Sequence, residues 1–528
     1  MIDLFAHQEY SQLQLRQIRN KFQKLSRLNY VEKKMNISSR KIILIDFFPV
    51  PEWIVVNSTI CSLLSNKFDS PIISFGFGRR NWRHKALYES VNIKQYLRMK
   101  LSIRQLIRLM KLFNLSAEQI RKPEDLINFE ISGINLGIDI YESILRTGLP
   151  TVNIEEQETW RQIYLGLRQY IFFREYFEKK QILAVLPSHD SYIGPGLLSR
   201  MAYKYETVVI SAGIYGIDLP QEGFQLCTKF ARYRSYFNSL QPHEKELSLE
   251  KIKKSLDWDS YVMDATGLQM RVGDLTINKK REIKILVATH DFYDNPHAYS
   301  RMPFIDFYQW LLFLAEIAME TDYTWFIKCH PDSDGKEEEE IDKFVNLFPK
   351  FSKVDPKVSF NELKSNGLTH VTTCYGTVGQ ELPLLGITVI NAAYNPHISY
   401  NFNIHAQNNE HYKKILSNLE KNIINNPVCI EEISEFKFVH EHLMKPNGLM
   451  IPSVMDYMKF SNGNIQSKEA LEYFVQNLEE IWKKSTDVAI KSFANLNRFS
   501  CELLLIENEQ IKVEINNGNR EFFAKFRA

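Results

Sequence analysis

The side chains best suited to chemistry follow short segments that are predicted to be the strands of an α/β fold. His330 and Pro331 come directly after the segment at residues 325–329, and the sequence GTVGQE at residues 376–381 follows the predicted strand at residues 370–373. A histidine in that position can donate to a phosphate or act as an acid or a base. A glycine turn before a helix lets free N–H groups face a phosphate. Together the two patterns predict an anion site in the second half of the chain.

The GTVGQE sequence predicts contacts to two parts of a nucleotide. Gly376 would let the backbone approach a phosphate, and Thr377 would cap a helix over residues 378–385 and offer its hydroxyl. Glu381 lies four residues beyond Thr377, where a carboxylate can accept hydrogen bonds from ribose hydroxyls. Alternatively, GTVGQE forms an ordinary capped helix without a ligand. For His330, the alternative is a side chain hydrogen-bonded to a nearby carbonyl.

Thr289 and His290 follow a third predicted strand, the apolar run at residues 284–288. Because parallel strands end at one edge of a sheet, we expect them at the same edge as His330. The alternative is a metal site, since the same loop holds four side chains of metal-binding types: His290, Asp291, Asp294 and His297. A loop gives these side chains no fixed ligand geometry, so the adopted interpretation contains no metal.

The first half of the chain has a comparable strand end at residues 187–196, PSHDSYIGPG. A carboxylate or imidazole there, from Asp190 or His189, could take a proton from an attacking hydroxyl. The helix after Gly196 could receive an acceptor group at its N-terminus. The alternative is that these residues only form a turn.

Strand–helix alternation in two blocks supplies the elements that would position these residues. It predicts an α/β fold of two Rossmann-like domains that face a cleft, with extra helices. The predicted parts are a basic helical segment at 1–40, a first Rossmann-like domain at 41–215, an inter-domain segment at 216–280, a second Rossmann-like domain at 281–430, and a helical extension with a terminal hairpin at 431–528.

Composition narrows the class of protein. The chain has 528 residues, more than a single core usually holds, and 44% of them are hydrophobic. A net charge of +2 provides no general basic field for nucleic acid. Six scattered cysteines without a CxxC pair indicate a reducing compartment, and no secretory h-region is evident near Met1. These features predict a cytoplasmic protein.

Two basic segments indicate contact with a membrane. Residues 11–41 hold nine Lys and Arg against the single acid Glu32, and residues 96–115 combine basic side chains with Leu, Ile and Met at helical spacing. Both patterns are typical of segments that bind an anionic membrane surface. A solvated helix face is the alternative.

The motifs of the second half resemble those of GT-B glycosyltransferases that build bacterial surface polysaccharides. That branch includes Kdo transferases of capsule and lipopolysaccharide, bacterial sialyltransferases and the more distant teichoic-acid glycerophosphotransferases. Its members share a strand that ends in His-Pro, here His330 and Pro331. They also share a hydroxyl residue at a later turn, a Glu in the next helix and a G-x-x-V-I strand, here Thr377, Glu381 and residues 386–390.

The resemblance implies a metal-independent transferase without a cofactor, using a CMP- or UDP-linked sugar as donor. Its donor-binding residues would be Thr289, His290, Gly376, Thr377, Val378 and Glu381. His330 would stabilise charge on the leaving phosphate, with Asp190 or His189 as base. The domain at 281–430 would bind the nucleotide sugar and the domain at 41–215 the acceptor. That acceptor would be a surface polysaccharide or lipid-linked glycan, reached from the anionic inner membrane. A sugar-nucleotide 2-epimerase and a non-catalytic assembly scaffold are the alternatives.

Overall fold

A computed structural model describes most of residues 41–443. The described ranges are 41–47, 70–76, 95–188, 190–213, 216–218, 230–255, 282–298, 302–329, 335–421 and 430–443, with isolated positions between 20 and 93. The predictions for residues 1–40, for the chain beyond 443, and for His189 and His330 therefore lie outside the described residues. The chain divides into two compact units: Met1–Ser143, Ile154–Phe224 and Lys445–Ala528 form one, and Ile144–Asn153 and Gln225–Met444 form the other.

The first unit is built on a five-stranded parallel sheet with the order β3-β2-β1-β6-β7. Its strands are β1 (Ile42–Asp46), β2 (Ile72–Phe75), β3 (Gln95–Tyr96), β6 (Ile182–Leu186) and β7 (Val208–Val209). Two antiparallel pairs accompany it: β4 (Glu130–Ile131) with β5 (Ile134–Asn135), and β8 (Ser211–Gly213) with β9 (Gly216–Asp218). Every residue of β1 is buried, which is typical of a central parallel strand.

Helices connect these strands. They are α1 (Ile103–Gln119), α2 (Pro123–Ile127), α3 (Gly137–Leu145), α4 (Gln157–Lys179), the π-helical turn Tyr192–Gly196 and α5 (Leu197–Lys204). The periodicity over 96–115 predicts an earlier start for α1 than is found. The helix begins at Ile103 because Ser102 caps it, accepting from the backbone of Gln105 while the Gln105 side chain accepts from the backbone of Ser102.

The second unit is built on a six-stranded parallel sheet with the order β12-β11-β10-β13-β14-β15. Its strands are β10 (Lys284–Ala288), β11 (Thr324–Lys328), β12 (Phe351–Val354), β13 (His370–Thr373), β14 (Thr388–Asn391) and β15 (Ile404–His405). Numbered within this unit, the order is 3-2-1-4-5-6, that of a Rossmann fold. The prediction of α/β domains with Rossmann-like parallel sheets is confirmed. We call the reversal between β10 and β13 the switch point.

The helices of the second unit are α6 (Tyr233–Asn238), α7 (Pro242–Ser255), α8 (Phe307–Glu320), α9 (Lys336–Leu347), α10 (Phe360–Ser365), α11 (Val378–Glu381), α12 (Asn409–Leu416) and α13 (Ile430–Lys437), followed by the π-helical turn Phe438–Leu443. Thus α6 and α7 occupy part of the predicted inter-domain segment. The helix predicted over 378–385 is one α-helical turn followed by the 3-10 turn Leu382–Leu385. Pro383 explains the change, because it has no N–H to continue an α-helical ladder.

Polar side chains are paired within the core beneath the switch point. The indole N–H of Trp310 on α8 donates to the hydroxyl of Tyr412 at 3.1 Å, and that hydroxyl also contacts the hydroxyl of Thr372 in β13. All three residues are fully buried. Since a buried polar group without a partner is costly, these bonds fix β13 against α8 and α12. Among the helices that the structure describes, none combines the length and apolar character needed to cross a membrane.

Candidate functional site

His290, just after β10, is hydrogen-bonded to the turn that follows β13. Its Nε2 lies 3.0 Å from Oγ1 of Thr373 and 3.3 Å from the backbone nitrogen of Tyr375. A backbone N–H can only donate, so Nε2 accepts and the ring proton is assigned to Nδ1. The Thr373 hydroxyl can then donate to Nε2 and accept from the N–H of Gly376 at 3.3 Å. The two strand ends at the switch point therefore form one hydrogen-bonded unit.

Aromatic contacts hold the His290 ring. Phe307 stacks on it at a centroid distance of 4.9 Å, and Tyr375 lies 4.6 Å away. The Tyr375 hydroxyl donates to the carbonyl of Asn295 at 2.9 Å, which ties the turn after β13 to the loop after β10. The position of His290 is thus fixed by its neighbours as well as by its hydrogen bonds.

The turn at Gly376 presents backbone donors. A Cβ at Gly376 would lie 3.0 Å from Oγ1 of Thr373 and 3.7 Å from Cε1 of His290, so the close approach there favours glycine. Within the described ranges, no residue accepts a hydrogen bond from the backbone N–H of Thr377 or Val378. The prediction that Thr377 caps the helix with its side chain is wrong, because its backbone is already helical, with φ −60° and ψ −22°, and its side chain makes no cap bond.

Glu381 lies one turn further, at the end of α11, and is half-buried. Burial raises the pKa of its carboxyl above the ordinary value, and the cation of Lys437 opposes that shift. The side chain is thus a carboxylate held in a partly dry position, where a hydrogen bond from a hydroxyl is stronger than in water.

A buried group behind α11 was missed by the sequence reasoning. A Cβ at Gly379 would lie 2.6 Å from the ring of His397 and 2.8 Å from Nδ2 of Asn403. Burial, together with a smaller effect of neighbouring His405, lowers the pKa of His397 to about 3, so the ring is neutral. The signal in the sequence is only the glycine itself, which lets α11 pack directly on these side chains.

Thr289 turns its hydroxyl into the interior. Its Oγ1 lies 2.6 Å from Oε1 of Glu337 and 3.0 Å from the carbonyl of Lys328, and Glu337 is fully buried in the first turn of α9. Thr289 therefore anchors the start of α9. That helix follows residues 330–334, the segment that carries His330. Cys329, the residue before His330, leaves the sheet at the same edge as Thr289, because β10 and β11 are parallel neighbours. The contacts predicted for His330 stay predictions.

The first unit places Asp46 at the end of β1, at the corresponding reversal of its strand order. Oδ2 of Asp46 accepts from the backbone N–H of Ser188 at 3.3 Å and from the Ser188 hydroxyl. Burial raises the pKa of Asp46 to about 6. Asp190, the predicted base, lies two residues beyond Ser188 and is half-buried. The sequence reasoning missed Asp46, although an acid at the end of an apolar run is the signal it used elsewhere.

The start of α5 is occupied by a carboxylate of the chain itself. A Cβ at Gly196 would lie 2.4 Å from Oδ1 of Asp139, and Asp139 forms a buried ion pair with Arg200 at 2.7 Å. The expectation that an acceptor group binds at this helix N-terminus is therefore wrong, since Asp139 already fills the space. Among the described residues, no three His, Cys, Asp or Glu side chains form a group that could hold a metal ion.

No protein-family model and no curated protein matches the chain. Among solved structures, a glycosyltransferase from Rickettsia africae is similar at 12% identity and a TM-score of 0.24, covering 85% of this chain and 99% of that one. An O-GlcNAc transferase variant from Thermobaculum terrenum has 7% identity and a TM-score of 0.25, covering 90% and 74%. A UDP-GlcNAc 2-epimerase from Methanocaldococcus jannaschii, solved with UDP-GlcNAc and UDP, has 12% identity and a TM-score of 0.21, covering 75% and 97%. These similarities concern the fold alone. The strand orders of the two sheets define that fold independently of the comparisons.

Proposed function

We propose that the chain is a metal-independent glycosyltransferase that binds a nucleotide sugar at the switch point of the second unit. The observation that carries the proposal is the bonded junction between His290 and the turn after β13. It leaves the N–H groups of Thr377 and Val378 without a described acceptor. In open parallel sheets ligands bind outside the carboxyl ends of the strands, at this reversal of the order. The motifs that resemble surface-polysaccharide transferases point to the same edge.

In this proposal each residue has a separate role. The N–H groups of Thr377 and Val378 donate to the phosphates of a CMP- or UDP-linked donor, and Glu381 accepts from the ribose hydroxyls. His330 donates to the leaving phosphate as the glycosidic bond breaks, where other transferases use a metal ion. Asp190, or His189 beside it, takes the proton of the attacking acceptor hydroxyl. The acceptor is a surface polysaccharide or lipid-linked glycan on the cytoplasmic side of the membrane, and no coenzyme or nucleic acid takes part.

A nucleotide screen tests the binding half of this proposal. CMP, UDP, GDP and CDP are each added to the full chain, and the unfolding temperature is measured. A nucleotide at 100 times its dissociation constant should stabilise the protein by about 2.7 kcal/mol. If none of the four raises the unfolding temperature, the nucleotide site and the transferase proposal both fail.

An assay with the nucleotide sugar alone separates the two enzyme classes. A 2-epimerase needs no acceptor and would interconvert the sugar, whereas the proposed transferase should leave it unchanged until a glycan acceptor is added. Nucleotide binding without either reaction would favour the scaffold.

The His330→Ala variant tests the chemical half. Because charge on the leaving phosphate grows in the transition state, the substitution should lower kcat by about a hundred- to a thousandfold and change KM little. The Glu381→Ala variant is the comparison, since a ribose contact is similar in both states and its loss should raise KM instead. Near-normal turnover of His330→Ala would make the His-Pro motif a structural turn only.

A further inference from the structure

Helix α1 exposes a continuous apolar stripe. Ile103 is 77% exposed, Leu106 44%, Ile107 54% and Met110 51%. Their spacing of i, i+3, i+4 and i+7 places them on one face of the helix, and we call them the outer stripe. Single exposed apolar residues are ordinary on protein surfaces, whereas a contiguous set marks a surface that binds something.

One side of α1, next to the outer stripe, is firmly packed. Leu109 and Ser116 are fully buried. Phe113 contacts Trp160 and Tyr164 of α4 edge to face, at centroid distances of 6.0 and 5.8 Å. Together with the capping bonds at Ser102, these contacts fix the helix. The outer stripe is therefore presented by a rigid element.

The charge around the outer stripe has one sign. Residues 97–117 include five basic side chains and no acidic one: Arg98, Lys100, Arg104, Arg108 and Lys111. At 3.6 residues per turn, Arg104, Arg108 and Lys111 lie on the helix surface directly beside the outer stripe. None of the five forms an ion pair with a residue that the structure describes. The whole face thus combines exposed apolar groups with positive charge that no acidic side chain of the described residues pairs with.

We propose that α1 docks the protein on an anionic lipid bilayer. The outer stripe enters the interfacial region, and the neighbouring cations contact anionic headgroups. A second copy of the chain is a poorer occupant, because a symmetric pairing of α1 with α1 would bring like charges together. The proposal rests on α1 alone and holds whatever ligand the second unit binds.

Vesicle cosedimentation tests the apolar part. Wild type and the triple variant Ile103→Ser, Ile107→Ser and Met110→Ser are compared on vesicles of phosphatidylcholine mixed with phosphatidylglycerol. The variant should bind at least about tenfold more weakly, since three apolar side chains no longer leave water. Serine at three isolated exposed positions is the matched control and should leave binding unchanged: Leu247, Met319 and Leu347.

A second set of variants tests the contribution of the basic side chains to vesicle binding. Arg104→Gln, Arg108→Gln and Lys111→Gln together should weaken binding by about a hundredfold, at roughly fivefold per charge. Raising the salt concentration should weaken the wild type in the same direction. The control carries Gln at three exposed cations of the second unit, Lys350, Lys357 and Lys414, and should bind like the wild type.

Three results would overturn the proposal. One is wild-type protein that does not sediment with the mixed vesicles, and another is a stripe variant that binds as well as its control. The third is concentration-dependent dimerisation that the stripe substitutions abolish, which would assign the surface to a second copy. Circular dichroism and nucleotide binding, both expected to be unchanged in the stripe variant, verify that it is folded and separate this test from that of the transferase.

Discussion

Thr289 and His290 are adjacent in the sequence but face different surroundings at the end of β10. His290 accepts hydrogen bonds from the turn after β13, while Thr289 bonds to the buried carboxyl of Glu337. The first contact shapes the proposed ligand turn, and the second fixes the helix that follows the His330 segment. One strand end thus positions two separate parts of the site.

Replacing Thr289 with Val should destabilise the protein by about 1–3 kcal/mol. The substitution keeps the shape but leaves Oε1 of Glu337 without the donor at 2.6 Å. Urea unfolding measures the change. Thr324→Val is the matched control, because Thr324 donates to Glu282 at 2.7 Å in an exposed pair. Substitutions at exposed positions usually change the free energy of unfolding by no more than about 0.5 kcal/mol. Equal effects in the two variants would contradict the buried role of the Thr289–Glu337 contact.

Asp46 should make stability depend on pH. Burial raises its pKa from 3.8 to about 6, so between these values the folded state keeps a proton that the unfolded state has released. Asp46 therefore makes its full contribution to the free energy of unfolding below pH 3.8. That contribution, on the order of 2–3 kcal/mol, is lost as the pH rises towards 6. Asp46→Asn should remove this fall. Unfolding free energies of both proteins across that window measure it, and parallel curves would contradict the buried, protonated carboxyl.

At the level of elements, the short helix α11 depends on its packing against His397. Ala has the higher helix propensity, by about 1 kcal/mol, so Gly379→Ala would stabilise an unobstructed helix. The new Cβ would instead lie 2.6 Å from the His397 ring, and we expect a loss of about 1–3 kcal/mol together with weaker nucleotide binding.

The variant His397→Ala serves as the partner in a double-mutant cycle. Because it removes the ring that the new Cβ meets, the combined loss should be smaller than the sum of the two single losses. A stabilised Gly379→Ala protein, or strictly additive losses, would show that the close approach does not constrain α11.

The elements of the site differ in how far the sequence predicted them. The bounds of β10 and β14 agree with apolar runs, because buried parallel strands are dense in Val, Ile and Leu. The bounds of β13 also agree with the prediction, although its sequence HVTT holds only one such residue. Strand β12 was missed, since only its first and last residues are buried, and β15 has only two residues. The capping bonds of Ser102 and the break at Pro383 are local signals that periodicity alone overlooks.

The side-chain contacts followed less directly from the sequence. Strand ends predicted which residues reach the edge of the sheet, but not that Thr289 would turn inward to Glu337, 48 residues away. The spacing of residues also did not predict that the ring of His397 packs against Gly379. Such contacts depend on how distant segments pack, which a pattern of apolar residues does not encode.

For the whole molecule, the central claim is that the turn after β13 binds the phosphate of a nucleotide. Thr377 allows a direct test, because its φ of −60° suits proline and its side chain makes no cap bond. Thr377→Pro removes one backbone N–H, while Thr377→Ala keeps it and removes only the hydroxyl.

The decisive measurement is a calorimetric titration of wild type and both variants with the nucleotide that most raises the unfolding temperature. A hydrogen bond to a charged group contributes about 1.5–3 kcal/mol, so Thr377→Pro should bind roughly 10- to 150-fold more weakly, and Thr377→Ala within a few-fold of wild type. Equal affinity of Thr377→Pro and Thr377→Ala, with both variants folded, would contradict phosphate binding at this turn.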